Sequence, residues 1–202
     1  MQSRRPKKSS ARDRLLAATM EYVGRNGVGD LSLRQLAAAI GTSHRMLVYH
    51  FGSKEGLLVE VIQAVEARER QALIALANDG HLPAAERMRR MWRRFADRSY
   101  WPQERLFFEV YGQALQSRPH TTRLLDGIVD SWLGPMTEIG VRDGLTRRAA
   151  RANARLMIAV TRGLLLDLLA TRDRTAVDEA LRFFIAHYRT EGRRRLRRKP
   201  NT

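Results

Sequence analysis

From residue 10 to about residue 190, apolar side chains return every three or four positions, and no stretch alternates at the period of a strand. The pattern predicts an all-α chain. Ser10 and Asp13 have capping-box spacing and open a first helix to about Arg25, with Leu15, Leu16, Thr19, Tyr22 and Val23 inward and Asn26-Gly27 as its stop. Ser32 and Gln35 repeat that spacing, and Leu33, Leu36, Ala37 and Ile40 put one apolar face on a second helix that Gly41 ends. A third helix, 44–51, offers Leu47, Val48 and Phe51 to a core and carries His44, Arg45, Met46, Tyr49 and His50 elsewhere. Ser53 caps a fourth, with Glu55 in its first turn and apolar positions from Leu57 to Leu76. Pro83 reads as a first-turn residue of the next helix. Further helical segments fall at 83–98, 102–116, 120–140 with a kink at Gly134-Pro135, 146–171 and 175–190.

The stretch 32–54 organises the rest. Its second helix is short, basic and polar, so little of it can be buried. A helix, a glycine turn and a second, exposed helix make a helix-turn-helix, whose second helix enters the DNA major groove.

Charge strengthens that reading. The 202 residues include 37 Lys+Arg against 21 Asp+Glu, for a net charge of +16 and a pI near 11.4. Lys7, Lys8, Lys54 and Lys199 are the four lysines, so 33 of the basic residues are arginine. Such a surface favours a polyanionic partner, although arginine-rich codon usage also contributes to it. There is no cysteine, which removes thiolate metal sites, disulfides and cysteine nucleophiles. The N-terminus shows no apolar signal region, and the most apolar run, 152–170, is interrupted by Asn153, Arg155, Arg162 and Asp167. The expectation is a cytoplasmic protein with no membrane partner.

The first fifty-odd residues resemble the TetR family, the tetracycline-repressor-like bacterial regulators. The resemblance rests on Leu15, Leu16, Ala18, Gly27, Ser32, Ala37, Gly41, Ser43, Leu47, Val48, His50, Phe51, Ser53, Lys54 and Glu55. It covers about a quarter of the chain, and the remainder resembles the family only in being helical. It implies a basic arm (1–9), a DNA-binding domain (10–53), a helical effector-binding and dimerisation domain (54–191) and a basic tail (192–202). Tyr49, His50 and Lys54 look like phosphate clamps, which position a helix without reading sequence. His44, Arg45 and Met46 look like base-edge readers, with Ser43 at the helix start and Arg34 at the groove margin. Two positions depart from the family: Arg45 stands where a small residue is usual, and Val48 where tyrosine is common. Arg45 adds a donor pair suited to guanine O6 and N7. Arg4, Arg5, Lys7 and Lys8 form either a DNA-contacting arm or a solvated tail, and Arg193 to Lys199 read as a solvated basic run.

The resemblance also implies a homodimer through 146–171 and 175–190, with 146–171 apolar enough to be buried on both an intramolecular and an intersubunit face. An effector pocket would be lined by Trp92, Phe95, Phe107, Phe108, Tyr111, Trp132, Met136 and Met157, with Glu109, Gln113 or Arg162 as polar anchors. The same residues also serve as ordinary core. The carboxylates read mostly as solvated partners of arginines at helical spacing. No nucleotide loop, metalloprotease motif or nucleophile elbow is present, and the five histidines lack metal spacing. The sequence therefore predicts a non-enzymatic regulator without cofactor or metal: a repressor released from a palindromic double-stranded operator by a small molecule of unknown class. The alternative is a constitutive architectural DNA binder.

Overall fold

The computed structural model describes residues 10–196 apart from 28, 30, 80 and 81, with side chains described to residue 187. Among the described residues the secondary structure is helical, without strands. The head is α1 (Ala11–Asn26), α2 (Leu33–Ala39) and α3 (His44–Phe51). Ser10 accepts from the Asp13 N–H while the Asp13 carboxylate accepts from the Ser10 N–H, so the first box closes and holds the Asp13 carboxyl below the usual range. Ser32 and Gln35 close the second in the same way.

The long α4 (Lys54–Asn78) leaves the head and enters the body: α5 (Ala84–Phe95), α6 (Trp101–Leu115), α7 (Asp130–Arg142), α8 (Arg147–Thr171) and α9 (Arg174–Leu196). One apolar core runs without interruption from Val23, Leu36, Leu47 and Phe51 of the head through Leu57, Val61 and Ile62 of α4 to Leu106, Phe107 and Val110 of α6. A second joins Ala85 and Trp92 of α5 to Leu165 and Leu168 of α8 and Val177, Leu181 and Ile185 of α9.

Three details differ from the sequence expectation. The segment 120–129 is not α-helical; a 3₁₀ turn at Thr122–Leu124 and further turns precede α7. Thr121, Leu124 and Ile128 still point inward at helical spacing, but Gly127 at φ +76° breaks the ladder before α7 starts. Pro83 is the residue before α5 rather than within it. Finally, α9 extends past 190 to Leu196, so the start of the expected tail is helical; the expected arm, His81 and residues 197–202 lie outside the described residues.

Candidate nucleic-acid interface and the polar cluster behind it

Position in the head is set by what α3 must bury. Leu47 is fully buried and Phe51 nearly so, and these two side chains tie the helix to α2, α1 and α4. Everything else on α3 is left outside or at the margin. Val48, expected in the core, is instead 39% exposed, beside Met46 at 38% and Tyr49 at 80%. Val48 follows Leu47 by about 100° around the helix, enough to carry it off the buried stripe. His44, Arg45 and Arg34 are exposed, while His50 and Lys54 are half-buried.

Local structure holds this surface firmly. Gly41, at φ +71°, turns the chain between α2 and α3, and the Thr42 N–H closes onto the Ala37 carbonyl at 2.9 Å. The Ser43 hydroxyl accepts from the Met46 N–H at 3.2 Å, so its role in the free protein is to cap α3. Ser53 does the same for α4 through the Gly56 N–H at 3.0 Å. The Tyr49 and His50 rings meet edge to face with centres 4.9 Å apart. The structure thus brings Arg34, Ser43, His44, Arg45, Met46, Tyr49, His50 and Lys54 to the α2–α3–α4 turn region, with α3 presenting a basic, partly apolar face.

Two further features of the head were not anticipated. Gly56 abuts the carbonyl of Phe51 so closely that no Cβ fits there. Glu60, on α4, pairs with Arg12 of α1 and with Arg123 of the 3₁₀ turn, the latter at 3.2 Å, linking the head to the body. The Arg12 guanidinium also lies 5.3 Å from the centre of the Phe51 ring.

The body holds a polar cluster. Trp132 donates its indole N–H to Glu66 of α4, and Arg162 of α8 lies 3.8 Å from the same carboxylate oxygen. Arg162 also donates to the Ile128 carbonyl at 3.1 Å and stands over the Phe107 and Tyr111 rings, 5.1 and 5.5 Å from their centres. Those rings stack on each other at 5.4 Å. Glu69, 2% exposed, accepts two hydrogen bonds from Arg94, from Nε at 2.5 Å and from Nη2 at 3.0 Å. Glu104 of α6 faces Glu66 across a cavity of about 10 Å³ lined also by Val61, Ile62, Val65, Gln103, Leu106 and Phe107. That is room for about one water. Burial raises the Glu66 carboxyl above its usual range, against the Trp132 hydrogen bond and Arg162. Burial, then the fields of Glu66 and Glu69, push Glu104 up to about 8, with Arg162 opposing.

The residues named for an effector pocket thus part company. Phe107, Tyr111, Trp132 and Arg162 meet around Glu66; Phe108 packs edge to face on Phe107 at 5.2 Å, and Phe95 on Trp132 at 6.5 Å. Trp92 belongs to the α5–α9 core, where its indole N–H donates to Asp178 at 2.5 Å. Met157 is buried on α8 and Met136 half-buried on α7. Glu109 is exposed and takes a 3.3 Å hydrogen bond from Gln113. The reading of the carboxylates as a solvated face does not hold for Glu66, Glu69 and Glu104. Their signal was phase: Val59, Ile62, Glu66 and Glu69 follow one stripe of α4 at steps of three and four.

A three-helix head presenting one basic helix, joined by a long helix to a helical body, defines a helix-turn-helix fold among the described residues. Residues 15–61 match the model of the bacterial regulatory proteins of the tetR family. The HTH-type transcriptional regulatory protein RaaS of Mycobacterium tuberculosis is 39% identical over 72 residues, 35% of this chain. That match spans 34% of the curated relative's length. A TetR transcriptional regulator from Legionella pneumophila shares the fold at a TM-score of 0.67 and 22% identity, over 91% of this chain and 99% of that one. Salmonella enterica GusR does so at 0.62 and 20%, over 90% and 98%. A transcriptional regulator from Saccharomonospora viridis, solved in complex with choline, does so at 0.61 and 22%, over 89% and 97%. RaaS and the Legionella pneumophila and Saccharomonospora viridis proteins are named as transcriptional regulators. Among the described residues no helix is long and apolar enough to cross a membrane.

Proposed function

We propose that the protein is a homodimeric transcriptional repressor that binds a palindromic operator and leaves it when a small molecule binds the body. The observation that carries this reading is α3, which buries Leu47 and Phe51 and presents Arg45, Met46, Val48 and Tyr49 to solvent. In this reading Arg45 and its neighbours His44 and Met46 read base edges, Arg34 reaches the groove margin, and Ser43, Tyr49, His50 and Lys54 hold phosphates.

Dimerisation is supported by what α8 leaves uncovered. Ala152, Leu156, Ala159, Gly163, Leu166 and Ala170 are all exposed and alternate at steps of four and three, the spacing of a helix–helix seam. On α9, Phe183 is 66% exposed, with its ring centre 3.9 Å from that of His187. The opposite stripe of α8, with Ala150, Ala154, Met157, Leu165 and Leu168, is buried within the chain. A helix buried on one face and apolar on the other fits pairing with α8 and α9 of a second copy, and two heads are what a two-fold operator requires. The core continuous from α3 through α4 to α6 supports the release mechanism, because a shift of α4 carries the head with it. A ligand acts only through unequal affinity for the two head spacings. A regulator of this fold with a small molecule bound supports an effector role for the body.

The test is selection of bound DNA from genomic fragments by the purified protein, followed by a salt titration. A repressor retains a large preference for one palindrome at physiological salt. The +16 charge favours a second reading, a constitutive architectural binder, which predicts a steep salt slope with no sequence preference.

A further inference from the structure

The cluster around Glu66 has an unusual occupant. A guanidinium over two stacked aromatic faces and beside a carboxylate is what a protein builds to receive a cation. Here the cation is the protein's own Arg162, 5.1 and 5.5 Å from the Phe107 and Tyr111 ring centres and 3.8 Å from Glu66. Its hold is incomplete: its hydrogen bond goes to the Ile128 carbonyl, and its contact with Glu66 is longer than a hydrogen bond. Glu104 stands across the small cavity and makes no hydrogen bond or ion pair with a described residue. Charges on neighbouring elements do not supply the missing cation. Arg94 of α5 is engaged with Glu69, and Arg70 of α4 lies over the far partner, Trp132, at 5.7 Å.

We propose that this cluster is a recognition site for a compact organic cation, an ammonium or amidinium with an apolar body, which displaces the Arg162 guanidinium from between Phe107, Tyr111 and Glu66 and takes Glu104 as a second carboxylate. The inference rests on the effector reading above and names the chemistry of the effector. An anion entering here would meet Glu66 at close range, and a neutral molecule in place of the guanidinium would leave Glu66 without its Arg162 counter-charge. A cation replaces what Arg162 supplied and adds a partner for Glu104. Glu66 and Phe107, which Arg162 contacts, also line the cavity of about 10 Å³, so moving Arg162 would open space beside it. Arg162 belongs to α8, and Glu66 to α4, which carries the head. Displacing the one from the other therefore acts on the helix that sets the position of α3. The raised Glu104 carboxyl agrees with this reading, since in the closed state that group lacks the positive charge it would need to ionise at neutral pH.

The experiment uses the full chain without DNA. Phenyltrimethylammonium, its neutral isostere tert-butylbenzene and benzoate are titrated while Trp132-sensitive fluorescence and melting temperature are followed. The cation is expected to bind, with tert-butylbenzene and benzoate weaker by roughly tenfold or more. Glu104→Gln, which preserves shape, is expected to weaken the cation by a similar factor. Arg162→Leu, which removes the internal competitor, is expected to strengthen it and to gain more melting temperature from the cation than the parent chain does. Equal binding of cation and neutral isostere, preference for benzoate, or loss of cation binding in a folded Arg162→Leu protein would each overturn the site. Operator binding is measured separately: a cation that binds but leaves DNA binding unchanged sustains the site and removes its effector role, whereas absence of any operator preference defeats the repressor reading alone.

Discussion

The carbonyl oxygen of Phe51, the last residue of α3, fills the space that a Cβ at Gly56 would need in the first turn of α4. Recognition helix and connecting helix are therefore packed backbone to backbone, and the angle between them depends on a missing methyl group. In an ordinary helix Gly→Ala gains stability of about 0.5–1 kcal/mol. Here Gly56→Ala is expected to lose about 1–3 kcal/mol, the scale of overpacking a close contact, with a lower melting temperature and weaker DNA binding. Calorimetric melting of the two proteins decides the sign, and a stabilised variant would refute the packing argument.

Arg45 and Val48 are exposed on α3, so replacing them is expected to leave the fold intact. Arg45→Ala should weaken the preferred operator by about 1–3 kcal/mol and relax discrimination at one base pair, as loss of a bidentate base contact does. Lys54→Ala should instead weaken all sequences alike and flatten the salt slope by about one unit. Competition binding against a panel of single-base operator variants separates the two patterns.

Glu104 imposes a pH dependence. Its carboxyl is raised to about 8, so the folded chain holds a proton that the unfolded chain releases near the ordinary 4.5. The stability this supplies is complete below about 4.5 and is lost as pH rises through 8. Glu104→Gln stays neutral at every pH, so melting temperatures of parent and variant should diverge from pH 5 to 9, the variant ending higher by roughly 1–2 kcal/mol equivalent. Parallel curves would show that the carboxyl titrates normally.

Leu156 and Leu166 are 48% and 53% exposed on α8. Leu156→Glu with Leu166→Glu is expected to convert a dimer to a folded monomer, read by sedimentation velocity, and to weaken operator binding because one head alone grips one half-site. A parent chain that sediments as a monomer would refute the proposed pairing.

Local chemistry made much of the head legible in advance. Ser10 with Asp13 and Ser32 with Gln35 close the boxes their spacing announces, and Leu47 and Phe51 go inward as their phase requires, because caps and helical phase depend on residues within one turn of each other. What periodicity leaves open is which face of a helix a neighbour covers. The apolar residues of α8 looked alike along the chain, yet packing against α5 and α9 buries Leu165 and Leu168 while Leu166 stays outside. Val48 left the core for the same reason. Glu66 and Glu69 are marked only by their phase on α4, and Glu104 by nothing; only the docking of α5, α7 and α8 brings Arg94, Trp132 and Arg162 to this cluster. Residues within one helical turn settled the helices and the reading head, whereas the charged interior is a sum over distant helices, and burial is a property that no single helix has.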